Sequence, residues 1–252
     1  MLFSEKSFLI TVADLNICIH TSEKKIKLIS DNSFSNFNYN HLVSNNNPNT
    51  LTIDLDINIS IGIPDIIIAP ENEIFSGIIP FNYSTESYSN TTWNIYLYNN
   101  KYFIKVNFEN NNDNYFYLLC LNFTDFKWNI FIPETSNNNY LVNPLKYPLG
   151  IIILYYLVIL KDGFILHSSG VKYKNEGYIF SGFSGSGKST LARLFVENGA
   201  TLINDDRLII RTKNNRYMMY NTPLYNSDNP YIFPINKLFI IKHDIINNIK
   251  QI

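Results

Sequence analysis

One stretch of the chain has the residue types and the spacing of a phosphate-binding loop. Residues 182 to 190 read GFSGSGKST and fit the pattern G-x-x-x-x-G-K-[ST]. Glycines at such positions let successive backbone N–H groups converge on phosphate oxygens, because no Cβ atom intervenes. The pattern predicts that Lys188 reaches the β- and γ-phosphates and that the Ser189 hydroxyl binds Mg²⁺. The predicted phosphate contacts are Gly182, Ser184, Gly185, Ser186, Gly187, Lys188, Ser189 and Thr190.

The flanking segments predict the strand and the helix that such a loop needs. Gly177–Ser181 reads as a short buried strand, and Ser189–Glu197 reads as a helix with Leu191, Leu194 and Phe195 on one face. The start of this helix adds the positive end of its dipole, which favours a bound anion. A chance glycine-rich turn would not need a strand and a helix in this register. The segment therefore predicts a nucleoside triphosphate site.

Two adjacent carboxylates follow soon after the loop helix. Asp205 and Asp206 come at the end of a short predicted strand, Ala200–Asn204. In a nucleotide site the metal ion needs a carboxylate ligand, and a kinase also needs a base that accepts the proton of the substrate hydroxyl. Neighbouring strand residues point to opposite faces of a sheet, so the pair could divide these tasks. The alternative is a solvated Asp-Asp-Arg turn without a chemical role.

A histidine earlier in the chain is a further candidate. His167 ends the predicted strand Phe164–His167, which should lie beside the strand that leads into the loop. Small residues follow it at Ser168, Ser169 and Gly170. The alternative is that His167 is a hydrogen-bonded core residue, which is the commoner role of a lone histidine on a strand.

Four short segments together resemble the HPr kinase/phosphorylase family and its HPr-kinase-like relatives. They are LHSSGV at 166–171, SGFSGSGKST at 181–190, LINDDRLII at 202–210 and NTP at 221–223, within a likeness that spans about residues 150–245. The resemblance implies an α/β P-loop kinase domain of the HPr kinase and phosphoenolpyruvate-carboxykinase type, preceded by a mostly-β N-terminal region. Members of that family use ATP and Mg²⁺ to phosphorylate a serine hydroxyl.

The resemblance also implies a role for each candidate side chain. Asp205 would be the general base for the acceptor hydroxyl, and His167 would lie close enough to orient or tune it. Asp206 would be the carboxylate on the metal side and would share Mg²⁺ with Ser189. ATP would be the phosphoryl donor, and the acceptor would be a hydroxyl-bearing protein, peptide or small molecule.

The leading interpretation is a serine kinase that acts on a protein or peptide. One alternative is a small-molecule kinase of the shikimate type, although such enzymes usually begin with the loop and here it begins only at Gly182. Another is a degenerate or regulatory ATP-binding protein without turnover. It is favoured by the end of the chain at Ile252, soon after the predicted strand Lys237–Lys242, because true HPr kinases continue well past their nucleotide core. The acid pair favours chemistry, since binding alone would not require it.

The residues ahead of this segment predict a β-rich region, 1–147, before a nucleotide-binding domain, 148–252. In that region no acids, bases or metal ligands cluster in a catalytic spacing. Asn99-Asn100 predicts a tight hairpin turn, because asparagine tolerates positive φ. The β-branched and aromatic residues predict strands at Phe8–Ile19, Lys25–Ile29, Thr50–Ile61, Thr92–Tyr98, Tyr102–Phe108, Tyr115–Leu121 and Lys127–Ile132.

Two further predictions concern the second region. Gly150–Leu160 is the most apolar stretch, but it is shorter than the roughly 20 residues that cross a bilayer, so it predicts a buried helix or core element. After the acid pair, Leu208–Thr212 and Tyr217–Tyr220 predict a hairpin.

Composition narrows the class of protein. Hydrophobic residues make up 46% of the 252 residues, which is ample for a core. A formal net charge of −1 argues against nucleic-acid and membrane-surface binding. With two cysteines and no evident export signal, the chain is expected in the reducing cytoplasm. A homo-oligomer is left open.

Overall fold

The computed structural model describes residues 3–4, 6–30, 34, 37, 52–79, 91–110, 113–134, 139–223, 231–242 and 249. The chain divides into two compact units, Met1–Ile152 and Ile153–Ile252, here called the N-terminal and the C-terminal unit. The division falls inside a helix, α1 (Leu149–Leu160). The domain boundary predicted between residues 147 and 148 stays a prediction.

The N-terminal unit is built on strands. They are β1 (Phe3–Ser4), β2 (Ser7–Val12), β3 (Leu15–His20), β4 (Ile26–Leu28), β5 (Leu55–Ile61), β6 (Glu73–Ile79), β7 (Thr91–Tyr98), β8 (Lys101–Asn110), β9 (Asp113–Leu121), β10 (Lys127–Ile132) and β11 (Tyr140–Val142). Nine of them form one sheet in the order β1-β2-β3-β5-β10-β9-β8-β7-β6, and β11 pairs with β4. Short 3-10 turns at Asp65–Ile68 and Pro70–Asn72 precede β6.

Alternating residues along β5 decide which of its faces is buried. Leu55, Ile57 and Ile59 are 0% exposed, whereas Asp56 and Asn58 between them are half-buried. Successive side chains of a strand point to opposite faces, so one face of β5 supplies the core. The strand predicted over residues 50–61 is observed only from residue 55, and residues 50–51 lie outside the described part of the chain.

Two hairpins in the N-terminal unit test the predicted turns. The turn at Asn99-Asn100 between β7 and β8 is confirmed, with φ of 49° and 58°. The single strand predicted over Phe8–Ile19 is wrong, because β2 and β3 form an antiparallel hairpin. The chain reverses at Ala13 and Asp14, where φ is 52° and 61°. Alanine gives no turn signal, so the run of apolar residues predicts one continuous strand across this reversal.

The C-terminal unit holds a second sheet. Its strands are β12 (Gly163–Tyr173), β13 (Glu176–Ser181), β14 (Thr201–Lys213), β15 (Arg216–Asn221), β16 (Ile232–Pro234) and β17 (Lys237–Ile240), with helix α2 (Lys188–Glu197) between β13 and β14. Six strands lie in the order β16-β15-β14-β12-β13-β17. Neighbours are antiparallel except β13 and β17, which are parallel.

The apolar segment at 150–160 forms a helix, which is one of the two structures predicted for it. It forms α1, in which Ile153, Leu154, Leu157 and Val158 are fully buried. Among the described residues, no helix is long and apolar enough to span a membrane. The predicted hairpin after the acid pair is also observed, with β14 and β15 meeting at Lys213 and Arg216.

Two strands near the candidate site are longer than predicted. β12 continues past His167 to Tyr173, and β14 runs unbroken from Thr201 to Lys213. The acid pair therefore lies within a strand, and the strand end predicted at Asn204 is wrong. Acidic residues disfavour strands, but here they pair in register with β12. The pairing of β12 with β14 has one register shift, between Gly170 and Val171.

Candidate functional site

The phosphate-loop sequence joins a strand to a helix, as predicted. β13 ends at Ser181, and α2 begins at Lys188. β13 lies inside the sheet, between β12 and β17, and its residues Ile179 and Phe180 are buried. Residues 182–187 therefore leave the sheet at the end of an inner strand and lead directly into the first turn of a helix.

Two loop positions require glycine for different reasons. Gly182 has φ 153°, and a Cβ atom there would lie 2.5 Å from the carbonyl oxygen of Ile241. Gly187 is the N-cap of α2 in the left-handed conformation, with φ 96° and no side-chain cap. A residue with a side chain would collide at the first position and be strained at the second. The backbone path therefore explains both fixed glycines of the pattern, Gly182 and Gly187.

Lys188 and Ser186 are buried within the loop. The Lys188 ammonium donates to the carbonyl oxygens of Gly182 and Phe183, each at 3.0 Å, and the residue is only 7% exposed. Ser186 is also 7% exposed, and among the described residues its hydroxyl is the buried side-chain polar atom that lacks a hydrogen-bond partner. The remaining predicted contacts, Ser184, Gly185, Ser189 and Thr190, are exposed.

The packed face of α2 differs slightly from the prediction. Ala192 is buried against Phe180 and Val171, with Leu191 and Phe195 packed beside it. Leu194, predicted on the same face, is 48% exposed. A helix of this length buries one stripe, and Ala192 allows the close approach to the sheet that a larger residue would prevent.

The central strand β12 aligns the loop with the acid pair. On one side Ser168 lies opposite Ser181, and on the other side it lies opposite Asp206. In the next row, Ser169 lies between Phe180 and Asp205. Neighbouring strands are spaced by about 4.8 Å, so each acid lies roughly 10 Å across the sheet from the end of the loop strand.

Asp205 lies on the face of the sheet that carries α2. Residues directly opposite one another in a sheet share a face, and Asp205, Ser169 and Phe180 form one such row. Phe180 packs against α2, which fixes the face. Asp205 is exposed, and its Oδ1 accepts a hydrogen bond from the hydroxyl of Ser169, which is 1% exposed.

Asp206 has other partners. Its Oδ1 lies 3.1 Å from His167 Nδ1, and its Oδ2 lies 3.6 Å from Arg207 Nε. The prediction paired His167 with Asp205, whereas the contact observed is with Asp206. His167 is half-exposed, so it is not the buried core histidine of the alternative interpretation. The two acids are therefore held by different side chains, Ser169 for one and His167 with Arg207 for the other.

Three further polar residues of this unit are buried, and two of them, Asn204 and Thr222, bond to β14. Asn204 Oδ1 accepts from the backbone N–H groups of Asp206 (3.1 Å) and Arg207 (3.3 Å). Thr222 Oγ1 donates to the carbonyl oxygen of Arg207 at 3.0 Å, and Asn221 accepts from the N–H of Tyr231 at 2.9 Å. They lie in the segments LINDDRLII and NTP, but their residue types alone do not predict these contacts.

A cavity of about 370 Å³ opens beside the start of the loop. Gly182 and Phe183 line one side, His167 and Leu166 of β12 another, and Ile240 and Ile241 a third. Phe183 is 85% exposed. Among the described residues, no group of three or more His, Cys, Asp or Glu side chains is placed to hold a metal ion.

Comparison with known proteins adds little to this geometry. No protein-family model matches the chain, and no curated protein matches it. Among solved structures, the chain is similar in part to the Hpr(Ser) kinase/phosphatase from Coxiella burnetii, with 15% identity and a TM-score of 0.26. The match covers 30% of this chain and 63% of that chain, less than two thirds of its length. So low a similarity carries no argument about this chain's fold or function.

Proposed function

We propose that the chain is an ATP- and Mg²⁺-dependent kinase that transfers a phosphoryl group to a serine-type hydroxyl of a protein or peptide. One observation carries the proposal. The strand β12 is in register with the end of the loop strand on one side and with the acid pair on the other, at Ser181 and Asp206. A phosphate loop and a base are the two parts that this chemistry needs side by side.

The loop residues fit a bound triphosphate. Ser186 has a buried hydroxyl without a partner, which is costly by about 1–3 kcal/mol and would be relieved by a phosphate oxygen. Lys188 holds its ammonium against the loop carbonyls, where it would supply a charge-assisted bond. When bound, ATP with Mg²⁺ supplies the phosphoryl group and a cation that neutralises its charge.

The acids support different tasks. Asp205 is exposed on the α2 face and has one oxygen held by Ser169, so the other would accept the proton of the acceptor hydroxyl. Asp206 and the exposed Ser189 would be the protein ligands of Mg²⁺, with phosphate oxygens and water completing its preferred six positions. His167 would then orient a metal-side carboxylate, as hydrogen-bonded partners of metal ligands do.

The experiment is phosphate transfer from labelled ATP to a pool of serine-containing peptides and to a lysate of the protein's own source. Asp205→Asn keeps the size of the side chain but removes the base, so turnover should fall by about 10²- to 10⁴-fold. Nucleotide affinity, read as the thermal shift with ATP and Mg²⁺ on the same preparations, should change little.

Asp56→Asn is the matched control. Asp56 is also a strand aspartate beside a histidine, with its Oδ1 at 3.0 Å from His20 Nε2, but it lies in the N-terminal unit. Its variant should transfer phosphate like the wild type. Equal turnover in wild type and Asp205→Asn would refute the assigned base. Nucleotide binding without transfer to any peptide, lysate protein or small-molecule hydroxyl would identify a binding protein without turnover.

A further inference from the structure

The partner of Asp205 is a serine locked inside the sheet. Ser169 is 1% exposed, and its hydroxyl donates to Asp205 Oδ1 from the directly opposite position on β12. β12 is paired on both sides at this position, with Phe180 as the other neighbour. The paired backbone fixes the position from which the Ser169 side chain reaches Asp205, so the hydrogen bond restrains the carboxylate.

The neighbouring serine makes a different contact. Ser168 is equally buried, at 0% exposed, but its hydroxyl donates to the carbonyl oxygen of Leu166 at 3.2 Å. The acid opposite Ser168 is Asp206, which is held by His167 and Arg207 instead. Two adjacent serines with the same burial thus point to opposite faces of the sheet, and of the two it is Ser169 whose hydroxyl bonds a carboxylate.

We infer that Ser169 is a positioning residue for Asp205, an inference that rests on the proposed kinase function. Its hydroxyl occupies Oδ1 and leaves the second oxygen to accept a proton. That proton leaves the acceptor hydroxyl as the acceptor oxygen bonds to phosphorus and the bond to the leaving nucleoside diphosphate breaks. Ser169 keeps its own proton throughout, and its burial keeps its hydroxyl from being phosphorylated.

A double-mutant cycle separates positioning from a purely structural role. Ser169→Ala should lower kcat on the order of 10- to 100-fold, the size expected for one hydrogen bond to a charged group, with the KM for ATP unchanged. In an Asp205→Asn background the same substitution should have little further effect, since residues that act as a unit are not additive. The acceptor is the best serine peptide found with the wild-type protein.

Two variants guard against a trivial loss of structure. Ser168→Ala deletes the same atom from the adjacent buried position. It should leave kcat within about twofold, because the Ser168 hydroxyl bonds the carbonyl oxygen of Leu166 and not a carboxylate. Ser169→Cys replaces the hydroxyl with a larger and weaker donor at the same position and should retain more activity than Ser169→Ala. If Ser169→Ala fails to fold, the kcat values of Ser169→Cys and Ser168→Ala are compared. A lower kcat in Ser169→Cys supports the positioning role, and equal values overturn it.

The outcomes distinguish this inference from the proposed function. An active wild type whose kcat survives Ser169→Ala would overturn the positioning role and leave the kinase standing. Full additivity of the two substitutions, or phosphate found on Ser169 itself, would also overturn it. A wild type that transfers no phosphate would remove both. Urea unfolding of the wild type, Ser169→Ala, Asp205→Asn and the double variant then reports, without substrate, whether Ser169 and Asp205 are coupled.

Discussion

The two units differ in where they bury polar side chains. Among the described residues, the N-terminal unit buries Thr21, whereas the C-terminal unit buries Ser168, Ser169, Ser186, Lys188, Asn204, Asn221 and Thr222. Burying a polar group is unfavourable unless it is hydrogen-bonded. A unit that only has to fold gains little from such residues. Their concentration in the C-terminal unit is what we expect if the proposed site lies there.

The polar groups of the N-terminal unit have structural explanations. Thr21 Oγ1 donates to the carbonyl oxygen of Ile59 at 2.7 Å and accepts from the N–H of Glu23 at 3.1 Å, so its capacity is satisfied locally. Burial raises the pKa of the Cys18 thiol, helped by the neighbouring Asp56, and burial also raises that of Cys120. A thiol with a raised pKa is protonated near neutral pH and is a poor nucleophile.

Three of the seven buried polar residues described in the C-terminal unit bond to one segment. Asn204, Thr222 and Ser169 all bond to residues 205–207 of β14, through two N–H groups, a carbonyl and a carboxylate. A network whose members are satisfied rigidifies the groups it holds. The contrast between the units thus predicts that equivalent substitutions will have different consequences in each.

Two lysines provide the largest expected contrast. Lys188 bonds two loop carbonyls, and Lys6 in the N-terminal unit donates to the carbonyl oxygens of Glu23 (2.7 Å), Lys24 (3.0 Å) and Ile26. Lys188→Ala should weaken ATP–Mg²⁺ binding by about 1.5–3 kcal/mol, because a charge-assisted contact to phosphate is lost. Lys6→Ala should lower stability and leave nucleotide affinity unchanged.

Thermal shift with and without ATP and Mg²⁺ measures both effects. The ligand-induced shift should nearly vanish in Lys188→Ala, whereas in Lys6→Ala it should persist from a lower starting temperature. If both lysines changed only the starting temperature, Lys188 would be as structural as Lys6 and the loop would lose its proposed role.

The local elements of the site were accessible from the sequence, because each has a short-range cause. The strand, the loop and the helix around Gly182 and Lys188 follow from glycine positions and apolar spacing. The turn at Asn99-Asn100 follows from the tolerance of asparagine for positive φ. The turn at Ala13-Asp14 was missed, because alanine carries no such signal.

The partners of the acids were not accessible, because they depend on register. His167 and Ser169 are two residues apart, and either could have faced Asp205. A one-residue slip turns every side chain of a strand to the other face of the sheet, and the sequence of β12 and β14 does not by itself name the partner of each residue. The observed register places Ser169 opposite Asp205 and His167 opposite Arg207, and it shifts only beyond Gly170. Sequence could name the acids, but only the pairing shows that Ser169 holds one and His167 the other.

Two buried threonines give a smaller and closely matched contrast. Thr222 is 0% exposed and donates to the carbonyl oxygen of Arg207, as Thr21 does to that of Ile59. Replacement of each by valine removes one hydrogen bond and should lower the free energy of unfolding by about 1 kcal/mol. Only Thr222→Val should also lower turnover, by a few-fold, because the carbonyl it holds adjoins Asp206. Urea unfolding and phosphate transfer check this, and equal turnover in the two variants would contradict it.

The smallest expected effect tests whether it is burial, and not the C-terminal unit as such, that marks function. Glu176 and Lys237 lie on the surface of the same six-stranded sheet, with Nζ 2.9 Å from Oε2. Hydrogen bonds from Tyr178 and then from Lys237 hold the pKa of Glu176 below its ordinary value of 4.5. A lowered pKa means that the folded state prefers the carboxylate, so its contribution is present above pH 4.5 and is lost as the pH falls further.

Glu176→Gln should therefore reduce stability slightly at pH 7, with a difference from wild type that shrinks below pH 4.5. Urea unfolding across pH measures it, while nucleotide affinity and turnover at pH 7 should match the wild type. A loss of turnover in Glu176→Gln would mean that surface polar groups of this sheet matter as much as buried ones, and the contrast between the units would then rest on the sheet and not on what it buries.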